Sequence, residues 1–373
     1  MKVIFSGDLF LGGDLIDQNL RDNILIKSFH EADMRIVNLE HPISNNSFFQ
    51  EKCVLYTEED SVKQLVNSNI NAVNIAHNHI HDKGDSGITD TINILKKNGI
   101  GYFGAGENIE EARKPFKINE DLYVLGYCQF NSPTLNNIQI AEKNKPGINP
   151  LIKENIIEDI EKLPENVKVV LFFHWGREHV WFTQYKNIEL SRYLLKNNKV
   201  AHIIGSHPHR IQGVLSYGNK KACYSLGNFL FPNFYMSSPS VYIPKPEKDL
   251  NFDVTKQYHS VQKLTYKKWR LVNRISNLVE LDTNNSSLNH IFSLQDFNSP
   301  IVTQIVGVKR LIVIAFIKFI SLFYLLPKRI YILIEYTTST LKFFIWYFQI
   351  LLFKIRKYGL KWFVFKLKNY VKK

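Results

Sequence analysis

Apolar and polar positions alternate in blocks along the first 235 residues. Short apolar runs rich in β-branched side chains recur at residues 3–5, 35–37, 72–75, 169–173 and 201–204. Runs of that length, ended by polar residues, read as buried strands. Between them, apolar residues recur at three- and four-residue spacing. That spacing predicts helices around 15–29, 58–67, 86–97, 150–162 and 187–197. Strand and helix in regular alternation imply α/β layers. The Gly-rich stretch 99–106 reads as a strand and tight turn rather than a phosphate cradle.

The pattern weakens after residue 235. Pro239, Pro244 and Pro246 interrupt it, and Asn284-Asn285-Ser286-Ser287 reads as a turn. Residues 236–299 are therefore expected to be an accessory segment that covers the core. From residue 300 the chain turns strongly apolar. Stretches 311–326 and 330–353 carry only scattered polar residues, including Lys318, Glu335, Lys342 and Gln349. The last three, seven apart, share a helical face with Thr338 and Ser339. Further on, Lys354, Lys357, Lys361, Lys368 and Lys372 gather on one side, with Ile355, Tyr358, Trp362 and Phe365 on another. These are amphipathic helices suited to lie in a membrane interface. A spanning hairpin is the competing reading. It would bury charges at about 2.5–3.5 kcal/mol each and set Pro327-Lys328-Arg329 against the positive-inside tendency. Packing of these helices against the body or a partner is a third reading.

Charge sharpens that division. The net charge is +13, and from Ser299 onward fourteen Lys and Arg face one acid, Glu335. The remaining chain balances 33 basic against 33 acidic residues. A neutral body argues against nucleic acid as partner. A basic, aromatic tail argues for an anionic membrane surface. Cys53, Cys128 and Cys223 are far apart, so neither a disulfide framework nor a thiolate metal site is indicated, and a reduced compartment fits. The first strand begins at Val3, so no signal peptide is expected. The expected location is the cytoplasmic face of the cell membrane, held peripherally or monotopically by the tail.

The chemistry sits where the apolar runs stop. Asp8 follows the first, Asn38 and Glu40 the second, and His77-Asn78-His79-Ile80-His81-Asp82 the third. His174 and His207-Pro208-His209 follow the last two. Ligands bind at the carboxyl ends of strands in open α/β sheets. Carboxylate, amide oxygen and imidazole together suit a divalent Mn, Fe or Zn ion. Three histidines, an Asn and an Asp within six residues exceed what packing requires. Asn78 can give a neutral oxygen ligand, His79 is placed as a general acid, and Asp82 can fix its tautomer. His202, which alternates within its strand, reads as structural. Arg177, Glu178 and Arg210, with Asn38, are candidates to contact an anionic substrate.

The ordered set Gly-Asp, Asn-Leu-Glu, Asn-His-x-x-Asp, His-Trp-Gly-x-Glu and Gly-x-His-Pro-His resembles the bacterial CapA family of poly-γ-glutamate capsule synthesis. That family lies in the calcineurin-like metallophosphoesterase superfamily. Gly104-Ala105-Gly106 with Glu111-Ala112, and Tyr224-Ser225-Leu226-Gly227-Asn228-Phe229, extend the match over residues 1–235. The resemblance implies a four-layer α/β/β/α sandwich over residues 1–235; the helical membrane-binding tail, 300–373, is read from the residues themselves. The resemblance also implies two divalent ions: Asp8 and His209 at one, Asn78, His174 and His207 at the other, Glu40 bridging, and His79 protonating the leaving oxygen. Two ions about 3.5–4 Å apart can clamp a phosphoryl group for in-line attack. The superfamily's first-motif His is matched here by Phe10, its bridging Asp by Glu40, and the first Asn of Asn-Asn-His by His77. The expected function is a membrane-associated, metal-dependent phosphoesterase-like hydrolase serving capsule or exopolymer biosynthesis machinery, the polymer being poly-γ-glutamate or polysaccharide. The alternatives are a non-catalytic scaffold of that machinery and a soluble nucleotide phosphatase.

Overall fold

The computed structural model describes residues 1–130, 135, 137–246, 252–255, 261 and 263–359. Strands β1 (Lys2–Leu9), β2 (Met34–Leu39), β3 (Ala72–Asn74) and β4 (Gly101–Phe103) lie side by side and parallel. A second sheet holds β5 (Leu122–Cys128), β6 (Lys168–His174) and β7 (Val200–Ser206), also parallel, with β8 (Lys220–Cys223) beside β7. The chain then returns to the first sheet. There β9 (Asn228–Leu230) pairs with the end of β1, and β10 (Ile275–Asp282) runs antiparallel along β1. Strands β11 (Ser287–Gln295) and β12 (Val302–Gln304) extend that edge.

Period-two alternation sends β1 side chains to two cores. Val3 and Phe5 join Ile36, Ala72 and Phe103 and meet Val124, Val170, Phe172 and Ile204 of the second sheet. Phe5 and Phe172 touch edge to face at 6.4 Å. Ile4, with Val37, Val73 and Ile75, faces the other way and packs on helical residues. Among these are Ile88, Ile92 and Leu95 of α1 (Gly84–Lys97), spaced to share one face. Each such side chain contributes about 1.5–3 kcal/mol on burial. α1 ends where Gly99 takes φ +68°, a backbone state that glycine adopts without strain. Helices α2 (Lys153–Glu161) and α3 (Tyr185–Leu194) bury Ile156, Ile160, Ile188 and Leu194.

Three expectations change. The helix expected over 15–29 is broken into Leu20–Asn23 and Lys27–Glu31. Asp17 sits at φ 66°, Asn19 caps a new start, and Ile24 and Leu25 pair with Val302 and Thr303. Residues 236–299 do more than cover the core. Their first half gives a small sheet over the cluster around Phe10, Phe231, Phe234 and Tyr242, but β10 and β11 are integral to the main sheet. The span 300–373 is not one tail either. α4 (Gly307–Phe323) buries Val313 and Ile317 beside Ile211, Phe292 and Ile305, and buries Ile320 as well.

The compact body runs to Tyr324, and residues 325–373 form a second unit. That unit contains α5 (Lys328–Tyr358). Among the described residues no helix is long and apolar enough to cross a membrane. Lys361, Trp362, Phe365, Lys368 and Lys372 lie outside the described residues.

Candidate metal centre

Strand register gathers the polar residues at one edge. Asp8 is level with Asn38, Asn38 with Asn74, His174 with Ser206, and Asp8 also with Asn228. β1 can reach that position because residue 7 is glycine. A Cβ there would stand 1.9 Å from the Gly227 carbonyl oxygen, which accepts the Asp8 N–H at 3.0 Å. The residues around Pro208 are strained. His207 and His209 hold φ of 94° and 52°, left-handed values that cost a non-glycine residue about 1–3 kcal/mol. The fold tolerates that cost at the place where both imidazoles come near the same carboxylate, Glu40.

Two groups of potential ligand atoms result, Glu40–His174–His207 and Asp8–Glu40–His209, each with its atoms within 4.8 Å of one another. Glu40 belongs to both. It is fully buried, and among the described residues neither of its carboxylate oxygens makes a hydrogen bond. Burial, followed by repulsion from Asp8, pushes the Glu40 carboxyl well above its usual range. A buried carboxylate without donors is costly unless a cation faces it. The donor set of this centre therefore fits divalent cations.

The histidines are prepared accordingly. His174 turns Nδ1 to Ser206 Oγ at 3.0 Å and Nε2 to Asn78 Oδ1 at 2.9 Å, with Glu40 Oε1 at 3.7 Å. Burial, followed by the neighbouring imidazoles, holds His174 well below its ordinary pKa; burial takes His207 down to about 4. Both are neutral at pH 7 and can offer lone pairs. His209 differs. Burial opposes its charge, but Asp8 Oδ2 at 3.2 Å raises its pKa. Its Nδ1 also faces Asn228 Oδ1 at 2.8 Å, which leaves Nε2 directed at Glu40 Oε1, 3.5 Å away.

The expected acid lies alongside. His79 Nδ1 meets Asp82 Oδ2 at 2.6 Å, and the same oxygen accepts the Leu55 N–H at 2.7 Å. Burial would raise Asp82, yet His79 and Lys52 hold it below the usual carboxylate range. Lys52 Nζ stands 2.6 Å from Asp82 Oδ1 and 2.5 Å from the Asn78 carbonyl oxygen. Nothing in the local pattern marked Lys52, which lies in an irregular stretch thirty residues before Asp82. Asn74 and Asn228 were also missed as site residues, although Asn228 stands in the quoted Leu-Gly-Asn-Phe segment.

Asn38 needs correction as a substrate contact. It is fully buried, donates Nδ2–H to Asp8 Oδ1 at 3.0 Å and accepts from Asn74 Nδ2 at 2.7 Å. It orients Asp8. Glu178 and Arg177 sit half-buried on the loop after His174, with Glu178 3.6 Å from His179 Nε2. Arg210 turns its guanidinium over the Trp181 ring at 4.8 Å. Phe10 occupies the first-motif position inside the aromatic cluster, 5.1 Å from the His41 ring. His77 is buried near His174 but outside both ligand groups. His202 lies away from the centre, between a Lys221 N–H and the Ser286 carbonyl.

The chain is 28% identical over 245 residues to the PGA biosynthesis protein CapA of Bacillus subtilis strain 168, covering 62% of this chain and 63% of that one. It is 28% identical over 204 residues to the capsule biosynthesis protein CapA of Bacillus anthracis, covering 52% and 49%. The matches thus span about half to three-fifths of these relatives. A solved structure from Thermus thermophilus aligns with 78% of this chain and 97% of its own at a TM-score of 0.38 and 9% identity, too distant to carry an argument. With residues 2–233 matched by its model, this chain belongs to the bacterial capsule synthesis protein family PGA_cap, which is metallophosphoesterase-like.

Proposed function

We propose that the chain is a metal-dependent phosphoesterase-like hydrolase of capsule or exopolymer synthesis, working at a membrane. The polymer would be poly-γ-glutamate or a polysaccharide. The observation that carries this reading is Glu40: buried, without a hydrogen bond among the described residues, and common to two ligand groups. The four-layer sandwich fits the sheet-to-sheet core and the helices packed outside the first sheet.

Asp8 and His209 would hold one ion, Asn78, His174 and His207 the other, and Glu40 both. When bound, such a pair supplies positive charge for phosphoryl oxygens and lowers the pKa of a water. The chain's own residues do the rest. Asn38 fixes Asp8, and Ser206 and Asn228 fix the ligating histidines. With Nδ1 held by Asp82, His79 is left with Nε2 to give a proton to the leaving oxygen.

Purified protein is expected to contain Mn, Fe or Zn by elemental analysis and to hydrolyse a chromogenic phosphodiester or monoester. His79→Ala should abolish turnover while metal stays bound. Metal-free protein with no turnover would overturn the reading.

The scaffold reading draws on one observation. Phe10 lies in an apolar cluster where the superfamily has a metal-binding His, so the Asp8 side has one imidazole fewer. Unchanged capsule output after His79→Ala and His174→Ala would favour it.

A further inference from the structure

α4 is apolar on two opposite sides. One side carries Val313, Ile317 and Ile320, buried on the body. The other carries Val308, Leu311, Ile312, Phe319 and Leu322, each more than half exposed, at the spacing of a single helical stripe. A helix lying on a protein in water ordinarily turns polar residues outward. Here the outward charges are Lys309, Arg310 and Lys318, with no acid in the helix. At about 100° per residue, Lys318 borders one edge of the exposed stripe and Lys309 the other. Long cationic side chains flanking an apolar stripe are placed to reach lipid headgroups while their stems stay in the apolar layer.

The helix is fixed to the body. Ser321 Oγ accepts the Val214 N–H at 2.8 Å, and Tyr324 Oη accepts the Gly213 N–H at 3.0 Å. Arg192 donates to the Tyr324 carbonyl. α4 therefore presents its outer stripe lengthwise. Its flanking aromatics meet the loop that follows His174: Phe316 touches Trp181 at 4.8 Å and Phe323 touches Phe182 at 5.0 Å. That loop is tied to the metal centre. The His179 N–H donates to the Pro208 carbonyl at 2.8 Å, and the His179 ring stacks on His209 at 5.5 Å.

We propose that the outer stripe of α4 docks the body flat on an anionic lipid surface, and that the Trp181–Phe182 loop joins this docked face to the metal centre. The substrate class that fits is a phosphoester held at the lipid surface rather than one free in solution. The inference takes its hydrolytic part from the function proposed above; the docking itself is read without activity.

The experiment is flotation of the full chain with vesicles of phosphatidylglycerol and phosphatidylcholine. The chain should float with them, and less with phosphatidylcholine alone. Leu311→Glu with Phe319→Glu should lower the bound fraction about tenfold or more, because a carboxylate is expensive in an apolar layer. Lys309→Glu with Lys318→Glu should lower it on the anionic vesicles. Both sites are exposed, so thermal unfolding should be unchanged. The difference in quenching by brominated lipid between the chain and its Trp181→Phe variant should show Trp181 beside the lipid. Undiminished flotation of the Glu variants would assign binding to another segment and overturn the proposal. So would a chain that does not float, or a dimer that the same substitutions turn to monomer. Unquenched Trp181 would overturn the joining of the docked face to the centre.

Discussion

The centre turns on one carboxylate. Glu40 serves both ligand groups, whereas His209 serves one. Glu40→Gln should therefore strip the protein of most of its metal, while His209→Ala should lower the metal-to-chain ratio by no more than half. Elemental analysis of the two variants separates these outcomes, and equal losses would argue against a shared ligand. Lys52 acts at one remove. It stands against Asp82 and holds the Asn78 carbonyl, so it would position both the proposed acid and a proposed ligand. Lys52→Met should keep metal and lower kcat about 10–100-fold with little change in KM, the range usual for groups that orient ligands. Lys52→Arg should restore part of the rate. The gathering of Asp8, Glu40, His174, His207 and His209 was legible because each follows an apolar run that reads as a strand. Lys52 and Asn74 were not. Their roles come from where the chain folds back, and no period of the sequence records that.

Among the elements, β7 and the β10–β11 hairpin are joined through His202. Its Nδ1 accepts the Lys221 N–H at 3.1 Å, and its Nε2 donates to the Ser286 carbonyl at 3.0 Å. Burial lowers its pKa to about 4. The unfolded chain, with a histidine near 6.5, binds the proton more readily between those values. Stability contributed by neutral His202 is thus intact above pH 6.5 and is lost as pH falls toward 4. At pH 4.5 the loss should be about 2–3 kcal/mol. Urea midpoints at pH 7 and 4.5 should fall less in His202→Gln than in the parent chain. His202 was readable as structural because it alternates inside a strand. The partner hairpin was not readable. Residues 275–295 carry polar side chains such as Asn277, Glu280, Asn289 and His290 amid the apolar ones, so no apolar run marks them as a strand pair of the main sheet, although Asn277 and Glu280 are buried there. The break in 15–29 was hidden for a related reason. Ile24 and Leu25 fit a helical stripe, and only the distant pairing with Val302 and Thr303 makes them extended.

At the scale of the whole molecule, the family match ends at residue 233, but the fold does not. β1 carries Asp8 and is flanked by β10, whose Val279 and Leu281 complete the core between the sheets. Without residues 275–295, β1 loses its partner over Lys2–Phe5 and keeps β9 only at Asp8 and Leu9. The next layer of dependence is α4. Val313 and Ile317 cover Ile211, Phe292 and Ile305, Ile320 is buried as well, and Tyr324 closes over Gly213, where a Cβ would come within 2.7 Å of its ring. Three buried aliphatic side chains are worth about 1.5–3 kcal/mol each before the entropy of ordering the helix is subtracted. A chain ending at Tyr324 should therefore unfold cooperatively in urea. One ending at Pro300, which also loses β12, should be weaker by a few kcal/mol and expose apolar surface to a hydrophobic dye. Residue 211 lies two positions beyond His209, so the loss should reach the centre: the shorter chain should bind metal more weakly than the longer one. If both chains melt alike and hold metal alike, α4 is an appendage, and the body that positions the site stops before it.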